Sequence, residues 1–473
     1  MNVVSRALKW SFLSEIAAKA IQPLVFVVLA RLLTPEDYGV VASAVMVISF
    51  SQIFWEAGMG KAIIQYQGET NAAANVGFWI NILLGIVSSL LLVLASDFIS
   101  SALFHDERVT LVLRVMSLQV FLSASVSIQK ALLQKDMKFK SLFWIRLATV
   151  ALPGLFSIPL ALAGYGYWAL VAGTLVGQAV QVPLLWLFSA WKPQLSFDFS
   201  IARHLIHFGS WVAFSGFLTW AYFWADSLIV GAQLGTYDLG LYRTGNNLVN
   251  LVYVFIFGPI LPVLYSHLAK IQADRSRIKA VFSYMIRLST FIALPIGFAA
   301  FFIGKPLADV VLGSNWQGID VVVSILGLAH GLGWITGANG EAYRAVGKAD
   351  CEAKLMAISC MVSIPIYFVA ISHGLVTFLW VRLLLDLAAV VMNLIVAKRI
   401  IHIDLWQICL YIGKITLLCL PLAFLRAHIN SVSSLHPTAF ISFGVGCVWI
   451  VCAMWMLERK GVIPQAISIA KGT

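Results

Sequence analysis

The chain has 473 residues, of which 60% are hydrophobic and only 11% charged. So little charge cannot coat a soluble protein of this length, which leaves a membrane protein. The formal net charge of +11 invites a nucleic-acid reading, but the basic residues are spread through alternate short loops, the pattern of membrane topology rather than of a binding patch.

Apolar runs follow one another along the chain, each near the ~20 residues a helix needs to cross hydrocarbon, without the alternation of a membrane β-barrel. The fold class is all-α and polytopic, with about 14 transmembrane helices expected from these runs. The first centres near Ile21 and is interrupted by Glu15 and Lys19. Arg6 and Lys9 precede it and no small-residue cleavage site follows, so it reads as a retained span rather than a signal peptide. Ala30 to Gly39, A-R-L-L-T-P-E-D-Y-G, closes it, with Pro35 and Gly39 marking a tight turn before the second run near Val47. Further runs centre near Gly85, Leu118, Leu152 and Gly177. A polar, proline-containing stretch from Trp191 to Ser200 leads to a seventh run near Phe217, and five more centre near Phe255, Ile292, Leu328, Met361 and Leu387. Two final runs, near Leu417 and Cys447, stand apart. The six cysteines mostly lie in apolar runs without metal-ligand spacing and are expected as buried small residues.

The turn motif has an echo. Gly231 to Gly240 reads G-A-Q-L-G-T-Y-D-L-G, and its Leu234, Asp238 and Gly240 fall 201 residues after Leu33, Asp37 and Gly39. Ile158-Pro159 and Ile364-Pro365 form a second echo. An internal duplication follows: a six-helix lobe over residues 1–195, a second over 196–402, and two additional helices with a tail over 403–473. Parallel repeats of this kind place a substrate site between the halves near the midplane. Lys61, the group Lys130, Lys135, Lys138, Lys140 and Arg146, and Lys192 and Arg203 occupy one set of loops; Lys270 to Arg287, Arg344 to Lys354, Lys398 and Arg399 continue it. By the positive-inside rule both termini face the cytoplasm, across the cytoplasmic (inner) membrane.

No G-x-x-x-x-G-K-[ST] loop and no catalytic constellation occurs, so the chain is read as neither an ATPase nor an enzyme, and no cofactor is expected. Charge inside apolar runs carries the functional signal, because it is costly there. Glu15 and Lys19, four residues apart, share a helix face, either as a self-neutralising pair or with Lys19 turned to an anionic headgroup. Arg382 and Asp386 repeat the spacing and both readings. Asp226 has no opposite charge within a helical turn, so it takes a partner across a cavity or a proton or sodium ion. Glu56 sits near a span end and reads as interfacial. Arg31 and Arg243 flank the two related turns, where a planar guanidinium suits either diphosphate or lipid phosphate. The Lys130 to Arg146 group reads as a topology signal that also gathers anionic lipid. His330 reads as a buried, hydrogen-bonded residue or a titrating one. Trp211, Phe214, Phe217, Trp220, Tyr222, Phe223 and Trp224 crowd the seventh run, facing lipid or a helix interface, or stacking on sugar.

Several motifs resemble the polysaccharide-exporter branch of the multidrug/oligosaccharidyl-lipid/polysaccharide (MOP) flippase superfamily. They are Ala30 to Gly39, W-E-A-G-M-G-K-A-I-I-Q (Trp55 to Gln65), K-A-L-L-Q-K-D-M-K-F (Lys130 to Phe139), G-Y-G-Y-W-A-L-V-A-G (Gly164 to Gly173), Y-D-L-G-L-Y (Tyr237 to Tyr242) and G-K-A-D (Gly347 to Asp350). The subgroup is similar to colanic-acid, teichuronic-acid and succinoglycan exporters. The resemblance implies two six-helix lobes working by alternating access and a cargo of the undecaprenyl-diphosphate-linked oligosaccharide type for exopolysaccharide or lipopolysaccharide synthesis. It further implies a cavity lined by the first and seventh spans, with Lys19, Glu15 and Asp226 in view and Arg31 or Arg243 sharing contact with the diphosphate. A proton or sodium gradient, or consumption of the product outside, would drive transport; membrane lipids, a polymerase and glycosyltransferases would be its partners, and nucleic acid would not. The alternatives are a cation-coupled drug or metabolite antiporter using Asp226, and a membrane glycosyltransferase or polymerase, which the short outer loops disfavour.

Overall fold

The structure, a computed structural model, describes residue 10 and residues 21–422 apart from residues 273 and 314. Every regular element among them is a helix, and nine helices are long and apolar enough to span a membrane. The chain is an all-α, multi-pass membrane protein. It divides into two compact units, one ending at Arg243 and the other starting at Thr244. The expected last span near Cys447 lies outside the described residues.

In the first unit, α1 (Ile21–Leu32) runs into α2 (Pro35–Glu56) through the turn at Thr34. Thr34 caps α2 reciprocally: its hydroxyl accepts from Asp37 N–H at 3.3 Å, and the Asp37 carboxylate accepts from Thr34 N–H at 3.0 Å. Pro35 supplies a pre-set first helical position, and Glu36 and Asp37 lie where the helix dipole favours acid. Ala57 and Gly58, at φ 38° and 66°, break the helix, and α3 (Met59–Gln65) resumes it. Then come α4 (Thr70–Ile99) and a traverse in three pieces, α5 (Glu107–Met116), α6 (Leu118–Ala124) and α7 (Ser127–Lys135). Two uninterrupted spans follow, α8 (Phe139–Leu162) and α9 (Tyr167–Phe188). Helix α10 (Phe199–Leu234) opens on Asp198, whose carboxylate accepts from Ser200 N–H at 2.7 Å and Ile201 N–H at 3.2 Å. Gly235, at φ 89°, ends it and frees the chain to start α11 (Thr236–Phe257).

The two related turns meet. A Cβ on Gly39 would strike the carbonyl oxygen of Thr236, and one on Gly240 would strike that of Pro35. The equivalent glycines thus let the starts of α2 and α11 cross at backbone contact. Thr236 is held as well by its hydroxyl, which donates to Asp106 at 2.8 Å; Arg108 forms an ion pair with the same carboxylate at 2.8 Å.

The second unit continues α11 and carries helix breaks of its own. A break at 258–259 separates α11 from α12 (Ile260–Lys270), as 57–58 separates α2 from α3. Helix α13 (Arg275–Val311) is followed by a traverse interrupted between α14 (Ile319–Gly333) and α15 (Asn339–Ala345), then by α16 (Ala349–Ile371) and α17 (Leu375–Ile401). Helices α13 and α14 approach closely at Gly297 and Gly331, where a Cβ on either would crowd the other's Cα. Phe282, Leu294 and Tyr343 centre the core of this unit. Helix α18 (Leu405–Cys419) joins it through Ile408, Ile415 and Cys419, and Arg287 donates to Gln407 at 3.0 Å. Among the described cysteines the expectation of burial holds for Cys419, while Cys351 and Cys360 are half-buried and Cys409 is exposed, because these helices turn one face to lipid rather than to a core; Cys447 and Cys452 lie outside the described residues.

Candidate functional site

Within the first unit, α2 and α10 enclose a groove of about 260 Å³. Its α2 wall is Ser49, Gln52, Ile53 and Glu56, a spacing of three and four that lines up one helix face. Its α10 wall runs from Val212 through Gly216 and Trp220 to Trp224, about 18 Å of helix at 1.5 Å per residue. Near Val212 the two helices touch: a Cβ on Gly58 would crowd the Val212 side chain, and one on Gly209 would strike the Ala57 carbonyl. Lys61, at the start of α3, lines the groove beyond that break.

The polar groups are arranged in pairs. Trp220 Nε1 donates to Ser49 Oγ at 3.0 Å, which fixes the indole across the groove, with the Phe50 ring 4.8 Å away behind it. Gln52 Nε2 donates to Glu56 Oε2 at 2.8 Å, leaving an amide carbonyl and a second carboxylate oxygen as acceptors. Flat aromatic faces beside fixed planar acceptors are suited to a sugar ring, which offers C–H bonds on its face and hydroxyls at its edge. Sequence reasoning missed Ser49, Gln52 and Lys61 as a site and placed Glu56 at the interface. The signal available was the polar stripe Ser49, Gln52, Glu56 inside an otherwise apolar run.

Two of the singled-out charges come together at the corner between α10 and α11. The Asp226 carboxylate accepts from Tyr242 Oη at 2.6 Å and from Ser227 Oγ at 3.0 Å. Arg243 lies over the Trp224 ring at 4.0 Å, donates to Ser227 Oγ at 3.3 Å and feels the charge of Asp226. Arg31 is exposed near the end of α1. Arg382 and Asp386 form an ion pair at 3.8 Å on α17 in the second unit. His330, also in the second unit, is 3.0 Å from Asn246 Oδ1 and stacks on Tyr253. Glu15 and Lys19 lie outside the described residues.

A family model for polysaccharide biosynthesis proteins matches residues 28–320. The chain belongs to that family. Among curated proteins, this polysaccharide biosynthesis protein is similar to the succinoglycan biosynthesis transport protein ExoT of Rhizobium meliloti (strain 1021), at 26% identity over 332 residues, which is 70% of this chain and 67% of that one. Its fold is similar to that of the lipid II flippase MurJ in an inward closed conformation, with a TM-score of 0.74 at 15% identity over 96% of this chain and 99% of that one. It is also similar to an inward-facing multidrug resistance MATE family transporter of the MOP superfamily, with a TM-score of 0.63 at 14% identity over 81% of this chain and 94% of that one. At such identities the likeness to the solved structures is one of fold. Family and fold are those the opening motifs resemble, and the relatives named here are transport proteins and flippases.

Proposed function

We propose that this polysaccharide biosynthesis protein is a flippase that moves undecaprenyl-diphosphate-type lipid-linked oligosaccharide repeat units from the cytoplasmic to the outer leaflet of the cytoplasmic membrane, with both termini in the cytoplasm. The observation that carries the reading is the α2–α10 groove, where Trp220 is held by Ser49 and stands opposite the Gln52–Glu56 acceptor pair. A saccharide cannot cross hydrocarbon with its hydroxyls unpaired, and this groove offers it stacking faces and acceptors between two helices. The isoprenoid tail needs no such shelter and stays in lipid. Lys61 suits an anionic group of the cargo; Lys19, paired with Glu15 one turn before it, and Arg31 are proposed to contribute to the diphosphate contact, and Asp226 to respond to a proton or sodium gradient.

The test is flipping of a fluorescent polyprenyl-diphosphate oligosaccharide in proteoliposomes, read as loss of outer-leaflet label to a membrane-impermeant quencher or glycosidase. The parent is expected to flip, and Trp220→Ala to flip about tenfold more slowly at subsaturating cargo, the worth of one aromatic contact near 1.4 kcal/mol. Gln52→Ala combined with Glu56→Ala is expected to do the same. Lys19→Ala should act chiefly on cargo carrying the diphosphate. A parent that moves no label under any imposed proton or sodium gradient, yet exports a cationic drug, would transfer the assignment to an antiporter.

A further inference from the structure

Trp224 forms the end of the groove on α10. One indole face is covered by the Arg243 guanidinium, 4.0 Å from the ring centroid. Arg243 is not itself a lining residue of the groove. Its own place is set by a polar chain at the α10–α11 corner: it donates to Ser227 Oγ, Ser227 Oγ donates to Asp226, and Tyr242, fully buried, donates to the same carboxylate. A planar guanidinium can lie flat on an indole and still use an edge N–H as a donor, which a lysine ammonium cannot do. An indole stacked on one face in this way loses the freedom to swing across the groove, which it still lines where a ring of the cargo would stack.

We infer that Arg243 is a positioning residue, locking Trp224 as a stacking platform for one sugar ring at the end of the groove, with the Asp226–Ser227–Tyr242 chain holding the guanidinium in place. The inference rests on the saccharide reading of the groove. It assigns Arg243 to the cargo's sugar through Trp224, in place of direct contact with its diphosphate.

The experiment is a double-mutant cycle with the full chain in proteoliposomes, flipping a fluorescent polyprenyl diphosphate that carries a short neutral oligosaccharide. Half-saturating concentration and maximal rate are measured separately, with thermal melting of each variant beside them. Trp224→Ala is expected to raise the half-saturating concentration about tenfold and to leave the maximal rate within about twofold. Arg243→Met should reproduce that shift in the parent and add nothing in the Trp224→Ala background, the signature of one residue acting through another. Arg243→Lys should fail to rescue, and Ser227→Ala, which keeps both charges, should give a smaller shift of the same sign. Additive effects of Arg243→Met and Trp224→Ala, or a fall in maximal rate and melting temperature at unchanged half-saturation, would overturn the inference and leave the groove standing. A half-saturating concentration unmoved by both Trp224→Ala and Trp220→Ala would remove the groove reading itself. The same shifts with polyprenyl diphosphate bearing no sugar would return Arg243 to the diphosphate.

Discussion

The Asp106 carboxylate lies in the connection between α4 and α5, outside the spans. Burial pushes its pKa up, but the hydrogen bonds from Arg108 and Thr236, with the Arg108 charge, outweigh burial and hold it below the ordinary aspartate value of 3.8. A carboxylate depressed on folding stabilises the native state at every pH above its unfolded value and loses that contribution only as pH falls through the lower, folded one. Melting of the purified protein should therefore show no contribution from Asp106 titration between pH 5 and 8, and the Asp106 part of its stability should disappear only below about pH 3.8. Asp106→Asn should cost about 1 kcal/mol at neutral pH and abolish that acid-side loss, a difference visible in paired melting curves. Legibility at this scale was uneven. Asp226 could be read as a carboxylate without a charge on its own helix turn, but Tyr242 and Arg243 arrive from the next helix, and periodicity within one helix carries no information about a corner. Of the stripe Ser49, Gln52, Glu56 only Glu56 was singled out, as interfacial, and Lys61 was read only as a marker of topology. Gly216 offers a check on the groove: a Cβ there meets nothing closer than Ile53 at 4.0 Å. Gly216→Leu should leave melting near the parent while blocking cargo, lowering flipping at least tenfold.

The start of α2 was legible only in part: Pro35 and Gly39 were read as marking a turn, whereas the helix starts at Pro35 and takes Gly39 inside it. T-P-E-D before an apolar run states an N-cap, a first-position proline and acid for the dipole, and α2 starts there. Helix breaks were not legible. The second span was placed near Val47 with Lys61 in the loop after it, whereas α3 carries Lys61 as helix beyond Ala57-Gly58, and no period marks that change of axis. The sequence did carry the echo of A-R-L-L-T-P-E-D-Y-G in G-A-Q-L-G-T-Y-D-L-G, but not that the two copies touch. Gly39→Ala or Gly240→Ala would push a methyl into a backbone carbonyl that has no side chain to yield. Each is expected to destabilise by about 1–3 kcal/mol or to part the two helix starts, seen as a lower melting temperature and faster amide exchange over residues 34–40 and 235–241. Gly413→Ala on α18, with open space around its Cβ, should be neutral or raise melting slightly, since alanine propagates a helix better than glycine by up to about 1 kcal/mol.

For the whole molecule, the fold class was the readable part, because it is written in composition. Leu83, Leu90, Leu94 and Phe98 stand exposed along α4, at 56–73%, and would be an aggregation face in water; hydrocarbon is their solvent. The basic loops give a sidedness that can be measured in cells. In a background with the native cysteines replaced, His105→Cys should react with a membrane-impermeant maleimide on intact cells, and Lys138→Cys only after permeabilisation. The opposite pattern would overturn this sidedness. The crossing of Gly39 and Gly240 also puts a clock on biogenesis. Gly240 leaves the ribosome 201 residues after Gly39, roughly 10–40 s later at ordinary elongation rates of about 5–20 residues per second. Throughout that interval α2 lies in the bilayer with its notch unfilled and its groove lacking a wall, since α10 is still being made. The first unit is therefore an unfinished object until translation has delivered the opening of α11, and a nascent chain stopped after α9 should be handled by the cell as a misfolded one.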